Sequence, residues 1–368
     1  MNTPQDYMKR AIELAKKGWG YTSPNPMVGC VVVKDGRIIA EGYHERIGGY
    51  HAERNALLSC KEDAQGAELY VTLEPCCHYG KTPPCTEIIM EKKIAKVYIG
   101  AMDNNPLVAG KGAAILREAG IAVETGILEK ECRQLNEVFF HYMEHKTPFV
   151  AMKYAMTLDG RIACDGGDSK WVTGEEARTY VHTLRKGYRG IMGGINTVLA
   201  DDPMLNCRIE QDVDPIRIVC DSSLRIPLDS NIVKTAKEIP TYVAYAAECE
   251  NDNQDAFAHK KETLQAMGVK LLKTAGQQVD VTELMQLLGK ENIDSILLEG
   301  GTLLNGSMLQ AHLVHRVYAF VAPKLVGGTQ IKSPVTGDGI KWMKDAIELE
   351  DTSLQTFGKD IMITGVVK

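Results

Sequence analysis

The sequence predicts two α/β domains in series. Three observations support this: the chain length, the alternation of strand and helix patterns, and a junction near the middle. The chain has 368 residues, enough for two domains of ordinary size. Strand and helix patterns alternate in both halves, as is typical of α/β proteins. A helical pattern ends before Lys146-Thr147-Pro148, and a strand pattern follows. We therefore expect one domain over residues 1–147 and a second over 148–368.

Each pattern in the first half predicts one element. Residues 4–18 have the apolar spacing of an amphipathic helix. The strand-like runs 28–33 and 37–40 flank Asp35-Gly36, a pair that favours a hairpin turn. Further helices are expected over 51–60, 86–93 and 107–121, and further strands over 68–73, 96–103 and 121–127. Crossover connections should therefore join adjacent strands of one sheet.

The second half shows the same alternation of patterns. Short buried strands separated by helical stretches are expected over 149–156, 216–223, 241–247, 269–274 and 294–301. Residues 324–333 and 355–368 have the pattern of late antiparallel strands. We therefore expect a second α/β domain that ends in antiparallel strands.

Composition and charge argue against several classes of protein. The formal net charge of −6 argues against a broad nucleic-acid-binding surface and against a partner membrane of anionic lipid. We find no apolar run long enough to span a bilayer, and the N-terminal segment lacks the apolar core of a signal peptide. The ten cysteines are scattered rather than arranged as a disulfide framework. We therefore expect a cytoplasmic protein whose cysteines are mostly reduced.

A group of cysteine and histidine residues in the first half suggests a metal site. A catalytic zinc ion needs three protein ligands and one open position for water. His51-Ala52-Glu53 opens a predicted helix, and Pro75-Cys76 follows later in the chain. This combination is the signature of zinc deaminases, in which the glutamate transfers protons without binding the metal. We predict His51 and Cys76 as zinc ligands and Glu53 as the catalytic acid and base.

The pattern leaves two candidates for the third ligand, because the generic signature places its two cysteines in a Cys-x-x-Cys spacing that does not occur here. The second cysteine should open the next helix, which favours Cys85, nine positions after Cys76. Cys77 is the alternative. A purely structural zinc module is a further alternative, but it would need four ligands and no adjacent carboxylate.

A second candidate site lies at a strand-to-helix turn in the second half. The buried strand Ile296–Leu298 is followed by Glu299-Gly300-Gly301-Thr302 and a helix. Glycines at such a turn let backbone amides approach an anion, and the helix N-terminus favours it. A glycine pair before a helix is more often only a tight turn. The Gly-x-Gly-x-x-Gly motif of a Rossmann domain does not occur here.

The loop Cys76–Cys85 resembles the expanded zinc loop of the bifunctional deaminase/reductase family of riboflavin biosynthesis. Other motifs of that family occur in the same order over nearly the whole chain: SPNPMVGCVVV, GYH-x6-HAE, TLEPC, KYAMTLDGRIA, SKWVTG, TVLADDPMLNCR, RIVCDSSLRIP and LLEGGTLLNGSML. Two positions depart from the family pattern. Asn104 stands where proline is usual, and Asn206 where threonine is usual.

The resemblance implies a cytidine-deaminase-like three-layer domain followed by a dihydrofolate-reductase-like α/β domain. It also implies two reactions: Zn²⁺-dependent deamination of a diaminopyrimidinone ribosylamino 5′-phosphate, and NADPH-dependent reduction of the ribosyl side chain to ribityl. The partners would be small pyrimidine ribosyl phosphates and further copies of the chain, associated through the reductase half. The competing hypothesis is a nucleic-acid-editing deaminase with an accessory domain, which the acidic charge balance disfavours.

The resemblance also implies roles for individual residues. The deaminase substrate would contact Asn25, His44 and Lys81, with Asp103 a weaker candidate. NADP would lie against Ala155, Trp171, Thr197, Asp201 and Ser222, and against the stretch Gly301, Thr302, Leu303, Leu304, Asn305, Gly306 and Ser307. The reductase substrate would be held by Ser169, Arg185, Leu205, Arg208 and Glu299. Lys153 and Glu299 would lie near the reacting carbon. Guanidinium groups suit a sugar phosphate because they bind it through two hydrogen bonds.

Overall fold

The computed structural model describes residues 3–80, 82–209, 214–251, 254–329 and 333–368. The chain forms two compact units, Met1–Lys146 and Thr147–Lys368. The first contains a five-stranded sheet and the second a nine-stranded sheet. No helix within the described ranges is long and apolar enough to cross a bilayer.

The first unit alternates helices and strands around a mixed sheet. Its elements are α1 Pro4–Ala15, β1 Gly29–Lys34, β2 Arg37–Tyr43, α2 Ala52–Ser59, β3 Glu68–Leu73, α3 Cys85–Glu91, β4 Lys96–Ala101, α4 Lys111–Glu118, β5 Ala122–Thr125, α5 Glu129–Leu135 and α6 Glu137–His145. The strand order is β2-β1-β3-β4-β5. β1 is antiparallel to β2 and β3, whereas β3, β4 and β5 are parallel. The predicted hairpin and crossovers are confirmed.

Helices cover both faces of this sheet, and two glycines show where they approach closely. Gly29 in β1 lies against Ala11 of α1, and Gly42 in β2 lies against Ala56 of α2; a Cβ atom at either glycine would overlap the helix backbone. Gly42 pairs with Cys30, the neighbour of Gly29. The two glycines therefore point to opposite faces of the sheet, and the unit has three layers.

The second unit has a mostly parallel sheet with an antiparallel end. Its elements are β6 Phe149–Thr157, α7 Glu175–Gly187, β7 Gly190–Gly194, α8 Ile195–Asp201, β8 Ile216–Cys220, α9 Asn231–Lys234, β9 Thr241–Ala246, α10 Gln254–Ala266, β10 Val269–Thr274, α11 Val281–Lys290, β11 Ser295–Leu298, α12 Thr302–Gln310, β12 Arg316–Ala322, β13 Leu349–Phe357 and β14 Asp360–Val367. The strand order is β10-β9-β8-β7-β11-β6-β12-β14-β13. Among the described strands of this sheet, β14 pairs antiparallel with β12 and β13, and the other pairings are parallel.

The nine-stranded sheet separates two apolar cores. Met192 in β7 belongs to the cluster that contains Leu284 of α11. The preceding residue, Ile191, belongs to the cluster that contains Ile232 of α9. Successive side chains of a strand point to opposite faces, so helices cover this sheet on both sides as well.

One predicted strand of the second half is wrong, and one observed strand was not predicted. The predicted strand over 324–333 is wrong for residues 324–329, which form a loop, while residues 330–332 lie outside the described ranges. Gly327 and Gly328 have φ values of 67° and 94°, which lie outside the β region of backbone conformation. The true strand, β12, lies just before this segment. The strand β7 was not predicted, because its sequence, GIMGG, has low β-propensity.

Arg217 in β8 is a fully buried guanidinium that crosslinks the second unit. It donates hydrogen bonds to the Met204 carbonyl at 3.3 Å and to Thr241 Oγ1, Thr235 Oγ1, Ile232 O and Ile239 O at 2.7–3.1 Å. Burial lowers the pKa of Arg217 to about 10. Because Met204 precedes Leu205, the guanidinium also anchors a loop predicted to hold substrate.

We expect Arg217→Met to destabilise the second unit by about 3–5 kcal/mol, because it leaves several buried acceptors without a donor. Chemical denaturation followed by circular dichroism would measure the loss. Arg225→Met removes an exposed hydrogen bond to Asn196 and should cost less than about 1 kcal/mol. Equal losses in the two variants would contradict a structural role for Arg217.

Candidate active sites

Three predicted zinc ligands converge at the ends of two helices. His51 is the N-cap residue of α2, and Cys85 is the first residue of α3. The His51 Nδ1 atom lies 3.4 Å from Cys76 Sγ and 3.5 Å from Cys85 Sγ. These ligand atoms lie within 4.8 Å of one another. The local sequence explains the placement, because β3 delivers Cys76 at its carboxyl end and Pro84 starts α3 at Cys85.

Glu53 adds a buried carboxylate to this group. It lies in the first turn of α2 and is only 3% exposed. Its Oε2 atom has no hydrogen-bond partner, which is costly for a buried charged group unless a ligand contacts it. Burial raises the pKa of Glu53 to about 7. The carboxylate thus adjoins the ligand group with one oxygen free.

The donor set fits a zinc ion. One imidazole and two thiolates are typical ligands of a catalytic zinc site, which keeps its fourth position for water. The hydrogen bond from Cys85 and the nearby His51 ring lower the pKa of the Cys76 thiol to about 4. Cys76 is therefore held as the thiolate that metal binding requires. The unpaired Glu53 Oε2 is free to accept a hydrogen bond from a water.

Cys77 takes no part in the ligand group. Its Sγ instead donates a hydrogen bond to the Leu107 carbonyl at 3.7 Å. This geometry favours Cys85 over Cys77 as the third ligand.

We expect Cys77→Ser to keep one zinc ion per chain and near-normal deamination, whereas Cys85→Ser should lose both. Metal analysis and ammonia release would check this, and zinc loss in Cys77→Ser would contradict the assignment.

The pyrimidine-binding candidates Asn25 and His44 lie beside the zinc ligands. Asn25 Nδ2 is 3.3 Å from His44 Nε2, and His44 Nδ1 is 3.0 Å from the Tyr50 carbonyl. The rings of His44 and His51 meet edge to face, with centroids 5.2 Å apart. Burial lowers the pKa of His44, so the ring is neutral at physiological pH. The structure thus brings both residues to the metal-ligand group.

Asn136 positions the loop that carries Asn25, although sequence reasoning missed it. It is 3% exposed and lies between α5 and α6. Its Oδ1 accepts a hydrogen bond from the Met27 amide at 2.8 Å, and its Nδ2 donates to the Met27 carbonyl at 2.9 Å. Because its partner is far away in the chain, no local motif indicates this role.

Glu74 is a second residue that sequence reasoning left without a role. Its buried carboxylate accepts backbone hydrogen bonds from Gly110 at 2.9 Å, Ala113 at 3.0 Å and Asp103 at 3.4 Å. It therefore ties the loop containing Asp103 to the strand end that carries Cys76. The sequence feature that could have indicated this role is the position of Glu74 within the TLEPC motif. Lys81, a predicted contact of the deaminase substrate, lies outside the described residues.

The second candidate site lies at the carboxyl ends of parallel strands in the nine-stranded sheet. Four adjacent strands, β8, β7, β11 and β6, are parallel. Their carboxyl ends lead, respectively, to Ser222, Thr197, Glu299 and Ala155. Open α/β sheets bind ligands in this position. The topology therefore brings predicted cofactor and substrate residues from four separate motifs to one edge.

A buried charged group marks this edge. Arg185 holds Glu299 through two hydrogen bonds, Nε to Oε1 at 2.7 Å and Nη2 to Oε2 at 3.0 Å. Lys153 Nζ lies 3.5 Å from Glu299 Oε2. The three side chains are only 11–16% exposed. Burial alone would raise the pKa of Glu299, but the two cations hold it well below its usual value.

The start of α12 fits a phosphate of a dinucleotide. Its N-cap residue, Gly301, provides no side-chain cap, so the first backbone amides are available to an anion. A Cβ atom on Gly301 would lie 3.8 Å from Thr197 Oγ1, which places a hydroxyl group beside the turn. Within the predicted stretch Gly301–Ser307, Asn305 and Gly306 are buried and Leu303 is 64% exposed. The buried Asn305 side chain donates a hydrogen bond to the Pro334 carbonyl.

Some predicted contacts lie at the periphery of this edge. Trp171 is 61% exposed, and its ring lies 4.7 Å from the Arg178 guanidinium. Asp201 at the end of α8 is 3.8 Å from Lys170 Nζ, which brings the segment with Ser169 towards α8. Ser169 and Arg208 are exposed. No described contact joins either side chain to Glu299, so neither belongs to the buried charged group, and their roles stay predictions.

Comparison with protein families matches both halves of the chain. The model described as "Cytidine and deoxycytidylate deaminase zinc-binding region" matches residues 1–101. The model described as "RibD C-terminal domain" matches residues 148–363. These matches confirm the predicted fold class. They also account for both predicted cofactors, Zn²⁺ with the deaminase and NADPH with the reductase.

Curated proteins and solved structures match the chain over nearly its whole length. The riboflavin biosynthesis protein RibD of Actinobacillus pleuropneumoniae is 54% identical over 99% of this chain and 96% of its own. A structure of Acinetobacter baumannii RibD has 38% identity and a TM-score of 0.85, with 99% of each chain covered. The structure of a Thermotoga maritima diaminohydroxyphosphoribosylaminopyrimidine deaminase/5-amino-6-(5-phosphoribosylamino)uracil reductase has 36% identity and a TM-score of 0.83, again covering 99% of each.

These matches favour a metabolic enzyme over the competing hypothesis of a nucleic-acid-editing deaminase. The zinc-ligand group agrees with the deaminase match, and the reductase match spans the second unit. The chain therefore belongs to the RibD family and is a bifunctional deaminase and reductase of riboflavin biosynthesis.

Proposed function

We propose that the chain catalyses two steps on pyrimidine ribosyl phosphates. The first is the hydrolytic deamination of 2,5-diamino-6-ribosylamino-4(3H)-pyrimidinone 5′-phosphate. The second is the reduction of 5-amino-6-(5-phosphoribosylamino)uracil to the ribitylamino phosphate. The two activities named for the Thermotoga relative support these substrates. The observation that carries the proposal is the buried Glu53 carboxylate, whose Oε2 is unpaired, in the same helix start as the ligand His51, which groups with Cys76 and Cys85.

In the deamination step, zinc held by His51, Cys76 and Cys85 would supply Lewis acidity that activates the attacking water. Glu53 takes a proton from that water and delivers it to a ring nitrogen. It then takes the proton that remains on the added hydroxyl group and gives it to the leaving amino group, which departs as ammonia while the ring carbon becomes a carbonyl, as a buried acid and base can do. Asn25 and His44 hold the edge of the pyrimidine, and Lys81 contacts the phosphate.

In the reduction step, NADPH supplies the hydride. The backbone amides at the start of α12 and the Thr197 hydroxyl hold its phosphate. Arg185 and Arg208 hold the substrate phosphate ester, because guanidinium groups match phosphate oxygens. Glu299 fixes the directions of Arg185 and Lys153, which would position the sugar of the substrate for reduction.

The direct test incubates the purified chain with the diaminopyrimidinone phosphate and NADPH, following ammonia and NADPH separately. We expect ammonia release to precede NADPH oxidation, and to continue when NADPH is left out. Release of ammonia without any later NADPH oxidation would contradict the second step. NADPH oxidation without ammonia would contradict the proposed order.

We also propose that the enzyme is a homo-oligomer formed through the reductase unit and that it acts in the cytoplasm. The edge strand β13 carries Leu354 at 73% exposure, and the neighbouring Met343 and Trp342 are 90% and 57% exposed. Apolar side chains at a sheet edge favour association with another chain. Light scattering should show a Leu354→Glu variant smaller than the parent protein; equal sizes would contradict this surface.

A further inference from the structure

Trp171 is a large aromatic side chain that the fold leaves exposed. Its exposed fraction is 61%, and it lies in the segment 169–174, between β6 and α7. An exposed side chain gains little from burial and keeps its rotamer freedom unless other contacts hold it. The contacts made by this segment therefore decide how the indole ring is presented.

The main chain of the segment is held at two points. Lys324 Nζ donates a hydrogen bond to the Trp171 carbonyl at 2.7 Å. The Gly174 amide donates to Asp360 Oδ2 at 2.6 Å, and Asp360, at the start of β14, is only 4% exposed. Lys324 is fixed in turn, because its carbonyl accepts a hydrogen bond from the Leu158 amide at 2.9 Å, just beyond the paired strands β6 and β12. The backbone around Trp171 thus has a defined position in the second unit.

Arg178 on α7 holds the same segment through its side chain. Its Nη1 atom donates a hydrogen bond to the Thr173 carbonyl at 2.7 Å. Its guanidinium group lies 4.7 Å from the centroid of the Trp171 ring. A cation in this position is attracted by the negative face of the indole, and a planar guanidinium also stacks on it. Arg178 therefore fixes the ring, while Lys324 fixes the main chain.

The segment lies beside the candidate reductase site. Lys170 Nζ is 3.8 Å from Asp201 on α8, the helix that follows β7, while Lys324 follows β12. In the sheet, β7 and β12 flank β11 and β6, whose carboxyl ends lead to the candidate site. Trp171 and Asp201, which are both predicted to contact NADP, thus belong to neighbouring segments. A fixed aromatic ring here can pack against a flat ring of the cofactor.

We propose that Arg178 is a positioning residue of the reductase, which holds the Trp171 ring in the orientation that packs against NADPH. The inference rests on the proposed reductase function and on the predicted contact of Trp171 with the cofactor. Fixing the ring before NADPH arrives removes part of the ordering cost of binding. Arg178 is assigned no contact with cofactor or substrate, so its effect on NADPH binding should disappear when the Trp171 ring is absent.

The test titrates the full chain with NADPH in a calorimeter. Arg178→Met removes the cation and the hydrogen-bond donor but keeps an apolar stem, and it should raise the Kd for NADPH by about tenfold, the effect of one lost hydrogen bond from a charged donor. Arg178→Lys keeps a cation near the ring and should recover most of that loss. Lys341→Met is the matched control, because it removes a cation 5.2 Å from the ring of Trp342. It should leave the Kd unchanged.

A double-variant cycle tests whether Arg178 acts through Trp171. Trp171→Ala alone should raise the Kd for NADPH by about tenfold, and adding Arg178→Met to it should change the Kd by less than about twofold. Equal effects of Arg178→Met with and without the tryptophan would overturn the role, because Arg178 would then act independently of the ring. An unchanged Kd in either single variant would overturn it as well.

Further readouts separate the possible failures. Circular dichroism and ammonia release should be unchanged in every variant, which shows that both units are folded. If Arg178→Met loses the fold, Arg178→Gln, which retains an amide donor, takes its place with the same expected outcomes. A parent protein that does not oxidise NADPH with 5-amino-6-(5-phosphoribosylamino)uracil would show that the proposed function is wrong. A parent that turns over, together with an unchanged Kd in Arg178→Met, would show that only the role of Arg178 is wrong.

Discussion

Glu53→Gln is expected to abolish ammonia release while one zinc ion remains bound per chain. Glutamine has nearly the same shape as glutamate but cannot accept the proton of the attacking water. The position is 3% exposed and its Oε2 is unpaired, so bulk water cannot easily take over. General acid and base groups contribute about 10²–10⁴-fold to a rate, and a loss in that range is expected. Metal analysis together with ammonia release would measure both quantities.

The matched control is Glu118→Gln, which changes an exposed glutamate of α4 in the same unit. It should leave both zinc content and ammonia release unchanged. NADPH oxidation with the deaminated substrate should be normal in both variants, because Glu53 belongs to the first unit only. Substantial deamination by Glu53→Gln would contradict the assignment of Glu53 as acid and base.

Glu299→Gln is expected to damage both the stability of the second unit and its reductase activity. The substitution leaves Arg185 and Lys153 buried, at 13% and 16% exposure, without their counter-charge. Removing one partner of a buried ion pair costs about 3–5 kcal/mol. We also expect kcat/KM for reduction to fall by about 10²-fold or more, because both cations lose their fixed direction.

Glu291→Gln is the matched control in the same unit. Glu291 pairs with Lys270 at 3.3 Å, but the two side chains are 39% and 63% exposed. An exposed pair of this kind contributes less than about 1 kcal/mol. Chemical denaturation and NADPH oxidation should therefore change far more in Glu299→Gln. Comparable small changes in both variants would show that Glu299 has no special role.

Local motifs were sufficient to predict the zinc site. His51, Glu53, Cys76 and Cys85 each lie where a predicted strand or helix begins or ends, and the chemistry of a zinc deaminase needs those residue types. The structure brings the ligand atoms of His51, Cys76 and Cys85 within 4.8 Å of one another, while the roles of these residues and of Glu53 stay predictions. The choice between Cys77 and Cys85 could not be made from spacing alone, because it depends on the direction in which each thiol points.

Residues whose role depends on hydrogen bonds to other segments of the chain could not be predicted from local motifs. Glu74, Asn136 and Arg217 hydrogen bond to other segments of the chain, so their roles appear only once the chain is folded. The same limit explains the strand errors. The GIMGG sequence of β7 lacks the expected composition of a strand, but its position between β8 and β11 in the sheet stabilises it. The apolar spacing over 324–333 is interrupted by glycines with positive φ.

Zinc removal is the decisive experiment on whether one chain carries two chemically separate sites. The protein would be stripped of metal with a chelator, and each step would be assayed with its own substrate. We predict that ammonia release disappears and returns on adding Zn²⁺, whereas NADPH-dependent reduction of 5-amino-6-(5-phosphoribosylamino)uracil is unchanged throughout. Equal loss of both steps, with circular dichroism showing that the fold is retained, would contradict the independence of the two sites.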